Sequence, residues 1–471
     1  MEVEVPSENM DLVSKPELPL VKQIAYSMGM LGWMLMTSIY LVMLLYMYEP
    51  PEGKGLEPLI PHIPLAFGLT VLTLVMASGR LFDAITDPLI AQLTDKNTNK
   101  KGRRIPIMRW AVIPTILFCG AMYRPWNYEA SNANIVWLVF TQLGFFVFMT
   151  LYNVPYNALL PELGHNSRLK LRLATLQGAM MLIGMVMGAS FLVVSEQIIQ
   201  NFDIEEKIRS YQYAIYGFSI FAGICMAIPA WAIDEKKYCV AKPASLSMSK
   251  AIRQTFKNRH FKFFLVADFS YFTAMAIIFA GLLYYVTVLL NQSDSFGSKM
   301  MGIMVGGAML MVFTLSRLTR KFGKKRLIIF SFFSLGSLCL AIFFLGKYPL
   351  RADYQGYLIS LLTCIPLGIM SILPSALLAE ISALDGKQSG QQNEGMFFAV
   401  RNLGQKFGQT LGLVIITVLF QFGKDPGDDL GIRLTGIVGL VLCVIAGITF
   451  IGFNEGKMKR EMAEFEPISE E

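Results

Sequence analysis

Charged residues are scarce in this sequence. Asp, Glu, Lys and Arg together make up 16% of the 471 residues, whereas soluble chains carry roughly 25%. Hydrophobic residues reach 54%, and the mean hydropathy is +0.50. The apolar residues fall in repeated blocks long enough for membrane-spanning helices, which need roughly 20 residues each. The composition excludes an ordinary soluble domain and predicts an all-α integral membrane protein.

Cysteine is also sparse, and its six copies lack the spacing of a metal site or a disulfide framework. They lie in apolar runs, except for Cys239 in a loop. No cofactor is therefore expected. The first 19 residues contain several acids and no apolar run. We interpret them as a short cytosolic tail rather than a cleaved signal peptide.

The excess of positive charge, +7 in total, collects mainly in short loops, which indicates membrane topology rather than a nucleic-acid partner. The basic loops are 96–104, 168–172, 234–259 and 320–326. The connections at 49–57, 201–209 and 424–429 carry acids in equal or greater number. Since Lys and Arg are retained on the cytosolic side, both termini are predicted to lie in the cytosol. The expected location is the cell (inner) membrane.

Twelve apolar segments are predicted, six in each half. Those of the first half are 24–48, 63–93, 105–122, 134–160, 169–194 and 211–233. Those of the second half are 261–290, 299–318, 326–345, 354–381, 396–422 and 432–453. We therefore predict an N-terminal bundle at 1–233, a cytosolic linker at 234–259 and a C-terminal bundle at 260–471.

Short motifs recur at corresponding places in the two halves. Residues 158–162 (ALLPE) are similar to 376–380 (ALLAE), and the basic turn at 100–104 (KKGRR) recurs at 321–326 (KFGKKR). Duplicated six-helix halves are typical of secondary transporters. We predict two pseudo-symmetric six-helix bundles around a central cavity. The expected protein is a monomer in membrane lipid that moves a small-molecule solute together with a cation.

Two carboxylates lie one helical turn apart in predicted span 2. Asp83 and Asp87 share one face of the helix, and neighbouring like charges at low dielectric demand a counter-cation or bind H⁺ more readily. Their oxygens, with Thr86 or a hydroxyl of a neighbouring helix, would bind a hard metal ion such as Na⁺. The alternative is that Arg80 neutralises one acid while the other lies near the cytosolic interface.

A lysine lies well inside predicted span 11. Lys406 is flanked by Gly404 and Gly408, which allow close approach of another helix. An uncompensated ammonium group is disfavoured at that depth. We predict that Lys406 pairs with Asp83 and Asp87 and replaces the coupling cation when the site is empty. Snorkelling of the lysine to the interface is the alternative.

Several other polar side chains are candidates for the solute site. Asn153, Tyr156 and Asn157 surround Pro155 in span 4, where a proline frees backbone carbonyls. The alternative role of these side chains is to form hydrogen bonds with the backbone groups that the kink frees. Four aromatic and amide residues of other spans are further candidates, with packing as the alternative: Trp33, Tyr284, Gln405 and Gln409.

Acids at the ends of spans 4 and 10 lie beside basic loops. We predict that Glu162 and Glu380 form gate or packing ion pairs with loop residues such as Arg103 and Arg104. Asp268 lies about two turns into span 7, counted at 3.6 residues per turn. We expect an interfacial or gate salt bridge there.

These motifs resemble the glycoside-pentoside-hexuronide:cation symporters of the major facilitator superfamily, a melibiose-permease-like family. The resemblance covers most of the chain. It is carried by 80–88 (RLFDAITDP) with 102–106 (GRRIP), by 153–162 (NVPYNALLPE), and by 393–398 (NEGMFF) through Lys406. It implies the major facilitator fold.

The resemblance also implies roles for particular residues. Asp83 and Asp87 would bind the coupling cation, Na⁺ or H⁺, with Thr86 and Thr150 as further oxygen ligands, and Lys406 would be their basic partner. The implied activity is symport of an organic solute, a sugar or glycoside. The bound cation would strengthen solute binding by a coupling free energy.

Departures from the family pattern leave other solutes open. Sugar-transporting relatives carry an acid where this chain has Met34, and another where it has Asn153. Because some relatives have an apolar cavity, a lysophospholipid or other amphipathic solute is the alternative. The methionines of span 1 would then supply an adaptable apolar wall: Met28, Met30, Met34, Met36 and Met43.

An enzyme is the competing class. Membrane-embedded Mg²⁺-dependent transferases use two aspartate clusters that face each other. The other close acids of this chain, Asp425, Asp428 and Asp429, lie in a loop on the opposite side of the membrane from the cytosolic loops. We therefore expect a transporter rather than a transferase.

Overall fold

The structure is a computed structural model that describes residues 16–63, 69–95, 97, 102–164, 167–202, 206–239, 256–389 and 394–463. Helices dominate these ranges, and no β-strand occurs within them. The helices of the first half are α1 (Leu20–Tyr48), α2 (Val71–Asp95), α3 (Ile105–Met122), α4 (Asn132–Leu163), α5 (Ser167–Ala189), α6 (Phe191–Phe202), α7 (Lys207–Ala232) and α8 (Glu235–Tyr238).

The second half begins with α9 (Arg259–Tyr284), which continues as a π-helical turn at Tyr285–Leu289. The remaining helices are α10 (Asp294–Phe322), α11 (Lys324–Phe343), α12 (Ala352–Ser389), α13 (Glu394–Leu419), α14 (Leu430–Ile451) and α15 (Glu455–Ala463). A short 3₁₀ turn at Phe420–Phe422 follows α13.

Ten spans of the described chain are long and apolar enough to cross a membrane by length and composition. One of these combines α5 and α6. The helices α2 and α10, with 25 and 29 residues, are also long enough at about 1.5 Å per residue to cross a hydrocarbon core of roughly 30 Å. Twelve spans in an all-α membrane fold follow, which confirms the predicted fold class.

The predicted loop at 168–172 is wrong, because these residues form the first turns of α5. Its arginines and lysine are good helix formers, and their long side chains reach polar surroundings from a helix end. Span 5 also continues to Phe202, past a break after Ala189. In the predicted basic loop at 96–104, residues 96 and 98–101 lie outside the described residues. So do 240–255 of the predicted linker.

The chain packs into two compact units. One unit contains Met1–Tyr40 and Phe82–Ala244, and the other contains Leu41–Leu81 and Ser245–Glu471. The second unit thus includes the end of α1 and the start of α2 together with the C-terminal helices. The sequence-based boundaries at 1–233 and 260–471 stay a prediction.

Small residues bring helices together within each unit. A Cβ added to Gly32 of α1 would lie 2.3 Å from the backbone oxygen of Ala222 in α7. In the second unit, a Cβ on Gly412 of α13 would lie 2.6 Å from the backbone oxygen of Thr273 in α9. Close backbone approach of this kind strengthens van der Waals packing between helices. Such packing drives helix association in lipid, because the hydrophobic effect does not favour helix–helix contact there.

A buried arginine joins the start of α14 to the end of α11. Arg433 donates to both carboxylate oxygens of Asp429 at 2.8 and 2.7 Å. It also donates to the backbone oxygens of Phe343 and Leu345 at 2.8 and 2.9 Å. The last carbonyls of a helix lack partners within the helix. Arg433 therefore supplies the donors that the end of α11 needs.

Asp429 makes the second unit sensitive to acid. The hydrogen bond from Arg433, together with the positive charge of Arg433, lowers the pKa of Asp429 below its ordinary value. Such a carboxyl contributes stability above its ordinary pKa, and the contribution is lost as pH falls through the lowered pKa. Asp429→Asn is expected to lower the melting temperature by roughly 2–4 °C at neutral pH. Near the lowered pKa of Asp429 the difference from the unsubstituted protein should shrink.

Circular-dichroism melts of the purified protein over a pH series measure this effect. Glu57→Gln removes an exposed acid from another loop and is expected to leave the pH profile unchanged. A loss of melting temperature in Asp429→Asn that is equally large at acidic and neutral pH would contradict the assignment.

Candidate cation and solute site

A buried carboxylate and a buried hydroxyl face each other in the first unit. Asp83 of α2 is 7% exposed, and Thr150 of α4 is 2% exposed. The Thr150 hydroxyl donates to Asp83 Oδ1 at 2.6 Å. A short hydrogen bond to a carboxylate is stronger than one between neutral groups. The contact brings together two residues that the resemblance paired as cation ligands.

The other residues predicted around the cation site lie on α2. The Thr86 hydroxyl donates to the backbone oxygen of Asp83 at 3.2 Å. Asp87, one turn beyond Asp83 on the same face, is half-buried, and Arg80 is buried. Within the described residues, no group of three or more His, Cys, Asp or Glu side chains could hold a metal ion. An ion at Asp83 would therefore depend on hydroxyl oxygens as well as carboxylates.

A row of side-chain amides continues from this site along α4. Asn157 Nδ2 donates to Asn153 Oδ1 at 2.8 Å, and Gln177 Nε2 of α5 donates to Asn157 Oδ1 at 3.2 Å. Thr150, Asn153 and Asn157 follow the spacing of one helix face. The Asp83–Thr150 contact and the amide contacts from Asn153 to Gln177 lie within one compact unit. It supplies hydrogen-bond donors and acceptors next to the buried carboxylate.

The candidate amide on α13 belongs to a separate cluster in the second unit. Gln405 Nε2 donates to Asp268 Oδ2 at 3.1 Å. Arg401 binds both Asp268 oxygens at 3.0 and 3.1 Å and donates to Ser375 Oγ at 2.7 Å. The predicted salt bridge of Asp268 is thus present, with Arg401 as its partner. Both side chains are buried, at 3% and 6% exposure, and an interfacial or gate role for the pair stays a prediction.

Two other predicted residues of the second unit lie on the same helix. Lys406 and Gln409 are half-buried on α13. The pairing of Lys406 with Asp83 and Asp87 stays a prediction, as does a solute contact of Gln409.

Two of the candidate aromatic residues are enclosed in packing. Tyr156 is 0% exposed, its hydroxyl donates to the Tyr26 backbone oxygen at 3.0 Å, and the two rings stack at 4.8 Å. Tyr284 is 0% exposed, and its hydroxyl donates to the Glu49 backbone oxygen at 2.6 Å. Trp33 is half-buried. The packing alternative therefore describes Tyr156 and Tyr284, and their solute contacts stay predictions.

An acidic cluster meets the basic loop before α3. Glu162 Oε1 accepts hydrogen bonds from Arg103 Nη2 and Arg104 Nη2 at 2.9 and 2.8 Å. Glu235 accepts from the backbone N–H groups of Arg103, Arg104 and Ile105 at 2.8, 2.9 and 3.0 Å. The first N–H groups of a helix lack partners within it and carry its positive dipole end. Glu235 therefore caps α3 from the segment that follows α7.

The second unit repeats this arrangement. Lys324 pairs with Glu380, the counterpart of Glu162 in the ALLPE and ALLAE motifs. The backbone N–H of Lys325, in the first turn of α11, donates to Glu455 Oε2 at 3.2 Å. The motif duplication seen in the sequence therefore corresponds to a duplicated set of contacts.

A glycine lets each basic loop enter its helix. Gly102 has φ +121° and Gly323 has φ +82°, a region that residues with a side chain rarely adopt. A Cβ on Gly102 would also lie 2.4 Å from Glu235 Oε2. The glycine thus permits both the turn and the close approach of the capping acid.

Sequence reasoning missed Gln177, Arg401 and Glu235. Arg401 lies in an apolar span, so the argument from intramembrane charge that found Lys406 would have found it too. The signal for Glu235 is its recurrence as Glu455 just past the last span of each half. Gln177 carries no signal in the sequence, because an amide in a membrane helix most often joins helices.

The fold and the paired halves define a multi-pass membrane transporter. The model of a family described as MFS/sugar transport protein matches residues 25–453. The chain belongs to this family of the major facilitator superfamily. The resemblance to its cation symporters, stated above from the motifs, is confirmed.

Individual relatives are distant but span nearly the whole chain. An uncharacterized symporter of Synechocystis sp. is 22% identical over 89% of this chain and 90% of that protein. A glucuronide carrier protein homolog of Escherichia coli is 21% identical, with coverage of 84% and 86%. The crystal structure of a nucleoside transporter has a TM-score of 0.63 at 13% identity and covers 92% of this chain and 99% of that chain. The likeness to the solved structure shows the fold alone.

The Glu235 cap generates a prediction about stability. Glu235→Ala is expected to lower the free energy of unfolding by roughly 1–3 kcal/mol, because buried N–H groups of α3 lose a charged acceptor. Glu235→Gln keeps an acceptor oxygen and should cost less. Thermal or denaturant unfolding of the purified protein in detergent measures the difference.

Glu129→Ala is the matched control, since this exposed acid precedes α4 and its side chain is not needed for a helix cap. It is expected to leave stability unchanged. If Glu235→Ala were as stable as Glu129→Ala, the capping role would be refuted.

Proposed function

We propose that the protein is a cation-coupled symporter that carries a sugar-like organic solute across the cell (inner) membrane by alternating access. The family is described as sugar transporters, and one relative is named a glucuronide carrier homolog. The observation that carries the proposal is the buried Asp83 carboxylate, bonded to the Thr150 hydroxyl at 2.6 Å on membrane-spanning helices. The coupling ion is Na⁺ or H⁺.

The ligand chemistry of this contact favours a small hard cation. Carboxylate and hydroxyl oxygens suit such ions, and Asp83, Thr150 and Thr86 bring both kinds of oxygen to one turn of α2. An aspartate within a membrane helix costs roughly 2.5–3.5 kcal/mol on insertion scales. The chain carries a second acid, Asp87, on the same face of α2. We infer that a functional role for the two acids outweighs this insertion cost. We assign both acids to ion binding.

The amide row supplies the solute contacts in this proposal. Asn153, Asn157 and Gln177 offer both donors and acceptors, which match the hydroxyl groups of a sugar. The row begins one turn of α4 from Thr150, so ion and solute would share one region of the first unit. An ion bound at Asp83 would then strengthen solute binding through this neighbourhood.

An amphipathic lipid is the second candidate solute and fits the structure less well. The apolar wall expected on α1 is largely used for packing, since Met30, Met36 and Met43 are 9%, 1% and 0% exposed. Lysophospholipids nevertheless belong in the panel of solutes, beside neutral glycosides and sugar acids.

The first test measures solute-stimulated Na⁺ and H⁺ movement in vesicles that contain the purified protein. Asp83→Asn keeps the size of the side chain but removes its charge, so gradient-driven uptake should be lost while folding is retained. Asp353→Asn, in an exposed surface ion pair of the second unit, serves as the control and should transport normally. Full gradient-driven uptake by Asp83→Asn would refute the cation site.

Thr150 distinguishes the two candidate ions. Thr150→Val removes the hydroxyl that contacts Asp83, and Thr150→Ser keeps it. If Na⁺ is the coupling ion, Thr150→Val should weaken its apparent affinity by about tenfold, equal to roughly 1.4 kcal/mol for one lost ligand. A proton on Asp83 needs no second ligand, so coupling to H⁺ should survive this substitution. Equal ion affinity in the Val and Ser variants, with Na⁺ as the driving ion, would contradict a ligand role.

Gln177 tests the amide row. Gln177→Leu should raise the KM for the solute by about fivefold to tenfold, the effect of one lost hydrogen bond, with cation dependence retained. Gln197→Leu makes the same chemical change at an exposed position of α6 and should leave KM unaltered. An unchanged KM in Gln177→Leu would exclude this residue from the solute site.

A further inference from the structure

The segment that follows α1 is held in the second unit by an acid and a lysine. The Glu49 carboxylate lies 3.6 Å from Lys424 Nζ, and the two side chains are only 12% and 16% exposed. Lys424 also donates to the backbone oxygen of Pro50 at 3.1 Å. From α9, the Tyr284 hydroxyl donates to the Glu49 backbone oxygen at 2.6 Å. The first connection of the chain is thus bonded to two segments of the C-terminal half.

Three more contacts of the same segment reach α10, the loop before it and the loop after α13. They are Tyr46 Oη to Asp294 Oδ1 at 3.1 Å, Glu52 N to Asp425 Oδ1 at 2.7 Å, and Lys54 Nζ to Asn291 Oδ1 at 2.8 Å. Each joins residues more than 230 positions apart in the sequence. Their number and spread show that the segment is docked along its whole length.

An aromatic layer lies beneath these polar contacts. The ring of Tyr284 meets Tyr46 edge-on at 5.3 Å and Phe420 at 4.4 Å. Tyr46 and Tyr284 are 0% exposed and Phe420 is 4% exposed. Buried aromatic groups in such contact exclude water from this end of α1.

The backbone of the second unit departs from regular helix where the segment docks. Directly after Tyr284, α9 becomes π-helical at Tyr285–Leu289, and Asn291 has φ +50°. Among the residues that the structure describes, Asn291 is the one non-glycine residue with positive φ. π-Helical turns occur frequently at functional sites. A non-glycine residue at positive φ holds backbone strain that its surroundings must balance.

We propose that residues 46–54 are a latch that closes the end of α1 against α9 and the loop after α13, and that releases in each transport cycle. The inference rests on the proposed function, because alternating access requires each end of the transport path to open in turn. Separate hydrogen bonds and one ion pair hold the latch, so it opens more readily than the helices beneath it. Tyr284 and Lys424 are its principal contacts.

Hydrogen exchange of the full-length protein in detergent tests the latch without solute or ion gradient. Lys424→Gln and Tyr284→Phe should each accelerate amide exchange of peptides within 46–60 by about fivefold or more, since each loses a bond that holds the segment. Lys299→Gln removes an exposed lysine from the first turns of α10 and should exchange like the unsubstituted protein.

A double substitution separates the ion pair from general damage. If Glu49 and Lys424 act together, Glu49→Gln with Lys424→Gln should exchange no faster than the faster single variant. Unchanged exchange of 46–60 in both Lys424→Gln and Tyr284→Phe would overturn the latch. Because exchange needs no transport, this result is independent of the vesicle assays, which alone decide the proposed function.

Discussion

The structure depends on one constraint, which is that a polar group inside hydrocarbon must find its partner within the protein. Asp268 meets it fully, with both oxygens bound by the Arg401 guanidinium. Arg433 meets it by binding Asp429 and two carbonyls at the end of α11. Each of these clusters joins two or more helices. The buried polar groups therefore also fix how those helices are aligned.

The carboxylate of Asp83 is also bound from another helix. The Thr150 hydroxyl of α4 donates to Asp83 Oδ1, so this contact joins α2 to α4 within the first unit. Carboxylate and hydroxyl oxygens are the ligand types that suit a small hard cation. In the proposed symport, the coupling ion binds at these oxygens.

The two units share a design at the end that carries the basic loops. In each, an acid beyond the last span caps the helix after the basic turn, and an acid on the fourth span binds that turn's side chains. The cap is tighter in the first unit, where Glu235 accepts three backbone N–H groups. These contacts fix the start of α3 in the first unit and the start of α11 in the second.

The sequence alone was sufficient to predict the twelve spans. Each crossing of the hydrocarbon core requires an apolar run of roughly 20 residues, and such runs can be read directly from the sequence. It also located Asp83, because a charge in such a run is rare and expensive. The start of span 5 and the loop at 168–172 were wrong, since long basic side chains extend a helix beyond its apolar run.

Tertiary structure decided which polar residues are committed to partners. Tyr284, Tyr156 and Gln405 looked equally available in the sequence, yet each bonds to a residue far along the chain or across a helix interface. Periodicity reports only on neighbours within a few residues of each other. The bond from Tyr284 to Glu49 joins positions 235 residues apart, and only packing of the folded chain brings them together.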